Sequence, residues 1–316
     1  MSRSKHSFFL WMPLLFGAFS CSSSPHHLVY AYGYGTTWEI HLYEGKKSDA
    51  EEIEEYIRVT SMFLDPEAKH SSGGLYALNH EGEVEANPFL LEAYELAEKV
   101  RLEAGEGYSY TMGELTSAWE DSLEKGGVLA EISRQNLLEN AKNTHVEKEG
   151  NRLVKSGLGQ VDFGSLGKGL CLRHIQKTLE EKGITHYLIN GGTSSLLVGE
   201  NHSPSKATKI TLSDAKGYYF PAVNCAVSTS SITRESHEID GVTYSHILDP
   251  RTGSAHVEYD ACCLKGEDPA YLDALSTALI VLGPEAGKEY EKKGIAVSFV
   301  KEGKIVYASE GFLQKE

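Results

Sequence analysis

Paired cysteines, positive charge and long apolar runs are all scarce in this 316-residue chain, and each shortage removes a class of function. The five cysteines include no C-x-x-C pair, which excludes the common zinc frameworks. Lysine and arginine number 30 against 45 acidic residues. A nucleic-acid partner calls for the opposite balance, because its phosphates must be neutralised. Any anionic ligand therefore needs local counter-charge from a metal ion, a lysine or backbone N–H groups. The one sustained apolar run covers residues 8–19. Beyond it no segment has the roughly 20 apolar residues that a spanning helix requires, so the body is expected to be soluble. Hydrophobic residues at 41% and charged residues at 24% are ordinary for a globular domain.

What the N-terminus does contain is a processing signal. Arg3 and Lys5 precede the apolar run, whose length is that of a signal-peptide core. It ends in Ala18-Phe19-Ser20-Cys21, small residues before a cysteine, as in lipoprotein processing. Residues 1–20 are therefore read as a lipoprotein signal peptide and Cys21 as the lipidated mature N-terminus. Plain secretion with an incidental cysteine is the alternative. Removal of the signal leaves 28 basic against 45 acidic residues, a net charge of −17. Residues 21–27, with Ser22-Ser23-Ser24-Pro25, read as lipidated cysteine and tether, and residues 28–316 as a single domain. Its expected place is the cell envelope, lipid-anchored to a bacterial membrane on the periplasmic or extracytoplasmic face.

The domain shows no repeat and no regular βαβ alternation. Residues 37–43 alternate as a strand. Residues 48–61 read as a helix, with Ile53 and Ile57 one turn apart. Asn87-Pro88 is an N-cap followed by proline at the first helical position, with Phe89, Ala93, Leu96, Ala97 and Val100 continuing the period to Gly105. A helix is expected over 168–181 with Leu172, Ile175 and Leu179 inward, and another over 269–282. Strands are expected at 186–190, 225–228, 242–248, 261–264, 297–300 and 305–308. This mixture predicts an α+β fold. Adjacent Cys262 and Cys263 should point to opposite faces of a strand as small buried hydrophobes, although a disulfide is permitted outside the cytoplasm.

Four stretches carry candidate chemistry. In Val161-Asp162-Phe163-Gly164-Ser165-Leu166-Gly167-Lys168-Gly169 three glycines and a lysine open a helix, a geometry that aims N–H groups and positive charge at an anion. It matches neither G-x-x-x-x-G-K-[ST] nor G-x-G-x-x-G, and a simple turn is the other reading. Asp268-Pro269 caps a helix that is apolar nearly all round, so Asp273 within it is expected to be buried and in need of a partner. Asp273 and Thr277, at i and i+4, offer two hard oxygens suited to Mg²⁺. The alternative is an Asp273 satisfied by a nearby backbone N–H. Tyr244-Ser245-His246-Ile247-Leu248-Asp249-Pro250-Arg251-Thr252-Gly253 offers His246 as general base with Asp249 orienting it, or a structural histidine. Ser228-Thr229-Ser230-Ser231 offers hydroxyls for ribose or phosphate, or a turn.

Taken together and in this order, seven segments resemble the ApbE family, the FAD:protein FMN transferases, some members of which hydrolyse FAD. Gly35-Thr36-Thr37 with Ile40 is similar to the family's M-G-T strand, and Leu78-Asn79 to its L-N. Met112-Gly113-Glu114-Leu115 with Trp119 resembles its G-P-L…L-W. Asp162 to Gly169 resembles D-L-G-x-x-x-K-G, and residues 186–192 resemble the N-x-GG strand and turn. Residues 245–253 resemble S-H-I-x-D-P-x-T-G, and residues 273–282 D-A-x-x-T-A-L-x-x-L. The resemblance covers roughly 240 residues. Two segments depart from it: His70-Ser71-Ser72-Gly73-Gly74 replaces a more charged stretch, and Ser231-Ile232-Thr233-Arg234 stands where G-x-Y-x-R is common.

The resemblance implies a single T-fold-like α+β catalytic domain with a central nucleotide cleft. It implies Asp273, Thr277 and a backbone carbonyl of the Ser165–Gly167 turn as Mg²⁺ ligands. Gly167 and Lys168 would face the pyrophosphate. Asn190, Gly191, Gly192, Thr229 and Ser230 would line the nucleotide cleft. Phe63 and Met112 would be cofactor-binding positions, Phe63 by stacking on the flavin ring or else serving as core. The reaction implied is transfer of FMN from FAD to a Ser/Thr hydroxyl of an acceptor flavoprotein bearing D-x-x-[ST]-G-A-T, with release of AMP. The chain has no such acceptor motif itself. FAD hydrolysis to FMN and AMP, or non-catalytic flavin binding, are the competing readings.

Overall fold

The computed structural model describes residues 26–192, 194–200, 207–233 and 236–316. The signal segment, Cys21 and Arg234 lie outside these. Eight strands form one sheet in the order His27–Gly33, Thr36–Leu42, Tyr187–Gly191, Ser195–Val198, Cys225–Ser231, Ala261–Gly266, Ala296–Lys301 and Lys304–Ala308. Every neighbouring pair is antiparallel. The first hairpin turns at Tyr34 and Gly35, both at positive φ (55° and 73°), the conformation that a two-residue turn needs to follow strand twist. The first strand begins at His27, one residue inside the stretch read as tether.

Helices cover one face of this sheet. Lys47–Leu64 turns Ala50, Ile53, Ile57 and Leu64 inward. Pro88–Ala104 starts where the Asn87 side chain accepts from the Leu90 N–H. Gly167–Glu181 buries Leu172, Ile175 and Leu179, and Pro269–Leu282 is buried on nearly every side. Those four helices and the sheet between them enclose the main core, which includes Trp38, Ile40, Phe163, Leu275 and Phe299. On the opposite face a three-stranded sheet of Thr208–Thr211, Tyr218–Ala222 and Gln314–Lys315 closes a second core around Phe220, Phe312, Val198, Val227 and Cys263. Cys262 belongs to the first core and Cys263 to the second, as the two-residue strand period requires. Cys171, Cys225, Cys262 and Cys263 are all free thiols.

A third cluster lies to one side. There Leu115, Trp119 and Leu123 of helix Gly113–Glu124 pack on Leu248 and Ala255. A strand over 242–248 is not formed in full: it stops at Ser245. The Ser245 hydroxyl accepts from the Ile247 N–H at 3.2 Å, and this local bond competes with the ladder. Among the described residues no helix is long and apolar enough to cross a membrane.

Candidate active site

Register across six strands builds the floor of the site. Ala31, Trp38, Gly191, Ser195, Ser228 and Leu264 are laterally aligned, so all point to the helix-covered face. Gly191 has to be small here, because a Cβ would lie 3.0 Å from the Trp38 ring. Gly192, at φ 67°, turns the chain back beside Thr36. The hydroxyls of Ser195 and Ser228 on this face are aimed at the helix above.

That helix is Pro269–Leu282. Asp268 caps it, accepting from the N–H groups of Ala270 and Tyr271, which leaves Asp273 one turn further in and buried. Among the described residues the carboxylate has three donors. Ser195 Oγ donates to Oδ1 at 3.0 Å and Ser228 Oγ at 2.9 Å, while the Gly169 N–H donates to Oδ2 at 2.8 Å. The backbone partner envisaged for Asp273 is therefore real, yet it does not exhaust the group. An ionised carboxylate has about four lone-pair sites, so one remains. Beside it Ser230 Oγ lies 2.8 Å from Ser276 Oγ and 3.2 Å from Thr277 Oγ1. The cluster thus consists of one carboxylate and five hydroxyls, with no nitrogen or sulfur ligand among them.

The second wall is the glycine-rich turn. Gly167 opens helix Gly167–Glu181, and its N–H and that of Leu166 are bonded to the Phe163 carbonyl. Asp162 accepts from the Gly164 N–H at 2.7 Å; burial raises its carboxyl above the usual range, against the pull of Lys168. Ser165 Oγ is bonded to Tyr108 OH at 2.9 Å. Burial, with Asp162 and Asp273 nearby, pushes the Tyr108 phenol upward, so it stays protonated. All of these donors are hard oxygens, and that chemistry fits a divalent cation such as Mg²⁺.

The remaining expected residues are distributed around this centre. Asn190 and Thr229 alternate to the other face of the sheet from Ser195, Ser228 and Ser230, and Thr229 bonds Cys263 there. Their side chains are therefore not gathered with Asp273, whereas Ser230 is. Phe63 is half-buried against the main core, and Met112 packs beside the Leu115–Trp119 cluster at the head of its helix. His246 is exposed. Asp249 is buried and clamped by Arg251, whose Nη2 donates to Oδ2 at 2.7 Å and Nε to Oδ1 at 2.9 Å. Arg251 also donates to the Val281 carbonyl, and Trp119 Nε1 donates to the Gly253 carbonyl at 2.8 Å. The turn after His246 is thereby tied both to the aspartate helix and to helix Gly113–Glu124.

Ser195, Ser276 and the Gly169 N–H are participants that motif reading missed. Only Gly169 left a sequence signal, as the glycine that follows Lys168. Serines carry no comparable signal, because their role depends on cross-strand register.

Comparison with known proteins adds to this geometry. The chain is 32% identical over 152 residues to the FAD:protein FMN transferase of Escherichia coli K12, a match covering 45% of this chain and 43% of that protein. It is 28% identical over 180 residues to the enzyme of the same name from Treponema pallidum, covering 52% and 49%. The chain thus spans about half the length of the curated relatives it matches. In fold it is similar to the apo flavinyl transferase ApbE of Pseudomonas stutzeri, with a TM-score of 0.77 at 22% identity over 91% of this chain and 95% of that one. The flavin transferase ApbE of Vibrio cholerae gives 0.76 at 21% identity over 91% and 99%. The model of the ApbE family matches residues 34–299, most of the described fold, and the chain belongs to that family.

Proposed function

We propose that this chain is a Mg²⁺-dependent FAD:protein FMN transferase that moves FMN from FAD to a Ser or Thr hydroxyl of an acceptor protein. The observation that carries the reading is the cluster of Asp273 with the hydroxyls of Ser195, Ser228, Ser230, Ser276 and Thr277, joined to the head of helix Gly167–Glu181 by the Gly169 N–H. The names borne by its relatives support the same activity. Asp273, Thr277 and a backbone carbonyl of that turn would hold Mg²⁺, which when bound supplies positive charge against the pyrophosphate. Lys168 and the positive end of its helix add to that charge. Ser230 and the Gly191-Gly192 turn face the nucleotide, and Phe63 and Met112 the flavin side.

His246 takes the proton from the acceptor hydroxyl, whose oxygen attacks the FMN phosphorus. The bond from that phosphorus to the bridging oxygen breaks, and AMP leaves with that oxygen. Its exposure suits His246 to this part, because the acceptor is a protein that must approach from solvent. Arg251 and Trp119 fix the turn after it; with Arg251 occupying its carboxylate, Asp249 serves to hold that turn. The acceptor is a flavoprotein segment of the D-x-x-[ST]-G-A-T type. Cys21 carries the lipid that keeps the enzyme at the bacterial cell envelope.

The test mixes the chain lacking residues 1–20 with FAD, Mg²⁺ and an acceptor bearing that motif, and reads the acceptor's intact mass with and without EDTA. A gain of one esterified FMN that EDTA abolishes is expected. Mg²⁺-dependent AMP with no mass gain would replace transfer by hydrolysis, and unchanged FAD would leave flavin binding alone.

A further inference from the structure

The first strand leaves one side of its sheet uncovered. Along His27–Gly33, Ala31 and Gly33 turn to the helices, and a Cβ on Gly33 would lie 2.8 Å from Ile57. Leu28, Tyr30 and Tyr32 turn the other way and are 41%, 48% and 69% exposed. On that same face the central strands are covered by the small sheet around Phe220 and Phe312. At the edge nothing among the described residues covers the three side chains, and the strand pairs on one side only. An exposed apolar edge strand invites contact. The segment carries no lysine, arginine or acid, and Glu39, across from Tyr30 on the same face, is mostly buried and 3.8 Å from His41 Nε2, so the contact the exposed side chains favour is mainly apolar.

We propose that Leu28, Tyr30 and Tyr32 rest in the headgroup–acyl boundary of the membrane to which the chain is anchored. The inference rests on the reading of Cys21 as lipidated. Five residues lie between Cys21 and His27, and an extended chain covers at most about 3.6 Å per residue over those six steps, so the strand is kept within roughly 22 Å of the lipid. Tyrosine suits that depth, with an apolar ring and a polar tip. A second copy of the chain is disfavoured by charge, since each body carries 45 acidic against 28 basic residues and like bodies repel. The same surplus repels anionic lipid and selects a zwitterionic surface. Because these side chains point to the face opposite Ser195, Ser228 and Asp273, docking here leaves the oxygen cluster on the far side of the sheet from the bilayer. An acceptor protein can then reach it.

The test uses the full lipidated chain in phosphatidylcholine vesicles with brominated acyl chains. Tyr32→Trp adds an indole at the proposed contact, and Leu102→Trp adds one at an exposed position on helix Pro88–Ala104 as control. Trp38 and Trp119 are buried and set the background. Expected is co-flotation with vesicles and loss of most of the added emission in Tyr32→Trp, with none lost in Leu102→Trp. Co-flotation with no loss in Tyr32→Trp, or a blue shift without loss from pairing of two copies, overturns the docking face and leaves the anchor standing. No co-flotation overturns the anchor, and the proposal falls with it. Equal loss in both variants means the body has no preferred face, which also overturns it.

Discussion

The backbone N–H of Gly169 donates to the Asp273 carboxylate over 2.8 Å, and the approach exists only because residue 169 has no side chain. A Cβ there would lie 2.3 Å from the Pro269 carbonyl oxygen and 2.5 Å from Asp273 Cβ. Two helices are thus seated backbone to backbone at the point where the Asp273 carboxylate is held. The glycine after Lys168 is a packing requirement and an electrostatic one together.

Gly169→Ala is therefore expected to force the two helices apart. Overpacking of this kind costs about 1–3 kcal/mol, and it withdraws the Asp273 donor as well. The denaturation midpoint should fall at unchanged slope. A midpoint equal to that of the wild type would show that the helices can shift freely.

Asp273→Asn keeps the shape of the side chain and part of its bonding while removing its charge. We expect the variant to fold and to lose Mg²⁺-dependent AMP release by at least ~10²-fold, the scale of deleting one charge-stabilising group. Asp273→Ala is the harsher test, since it orphans the donors of Ser195, Ser228 and Gly169, each costing roughly 1–3 kcal/mol when buried and unpaired. Circular dichroism separates unfolding from loss of chemistry. Folded Asp273→Asn with full activity would remove Asp273 from the metal site.

What could be read from the sequence follows a physical division. The caps at Asn87 and Asp268 were legible because each acts on N–H groups two or three residues away. Cys262 and Cys263 were assigned opposite faces because a strand alternates whatever its partners are. Ser195, Ser228 and Asp273 meet only through the register of strands and helices up to 78 residues apart, and no local pattern encodes that. The alternation that was legible at the cysteines also separates Ser230 from Thr229, which a list of adjacent hydroxyls had joined. The strand expected over 242–248 was too long because Ser245 bonds its own chain two residues on.

His246→Ala tests the proton acceptor. The residue is exposed, so the variant should remain folded, which circular dichroism checks. Loss of a general base costs typically ~10²–10⁴-fold in rate. FMN transfer to the acceptor should fall on that scale, while FAD affinity, read by fluorescence quenching, stays put. Transfer at the wild-type rate would assign the proton to another group.

Acid should loosen the helices that carry the site, through Glu92. His174 Nε2 lies 2.6 Å from one oxygen of Glu92 and Arg173 Nη1 2.8 Å from the other. These partners, His174 foremost, bring the carboxyl down to about 2 from the ordinary 4.5, against the burial that raises it. Arg173 also grips Asp268 at 2.9 and 2.7 Å, so helix Pro88–Ala104, helix Gly167–Glu181 and the cap of helix Pro269–Leu282 are joined through this one group. A carboxyl whose pKa is lowered by folding stabilises fully above its unfolded value, and that contribution is lost as pH falls through the folded one. Near neutral pH, Glu92→Gln should therefore melt below the wild type. The gap should narrow below 4.5 and close near 2, where the wild-type carboxyl is itself protonated. Melting curves of the two proteins across that range provide the check. A gap that persists unchanged at the acid end would mean the charge on Glu92 contributes nothing and that its packing alone holds the helices.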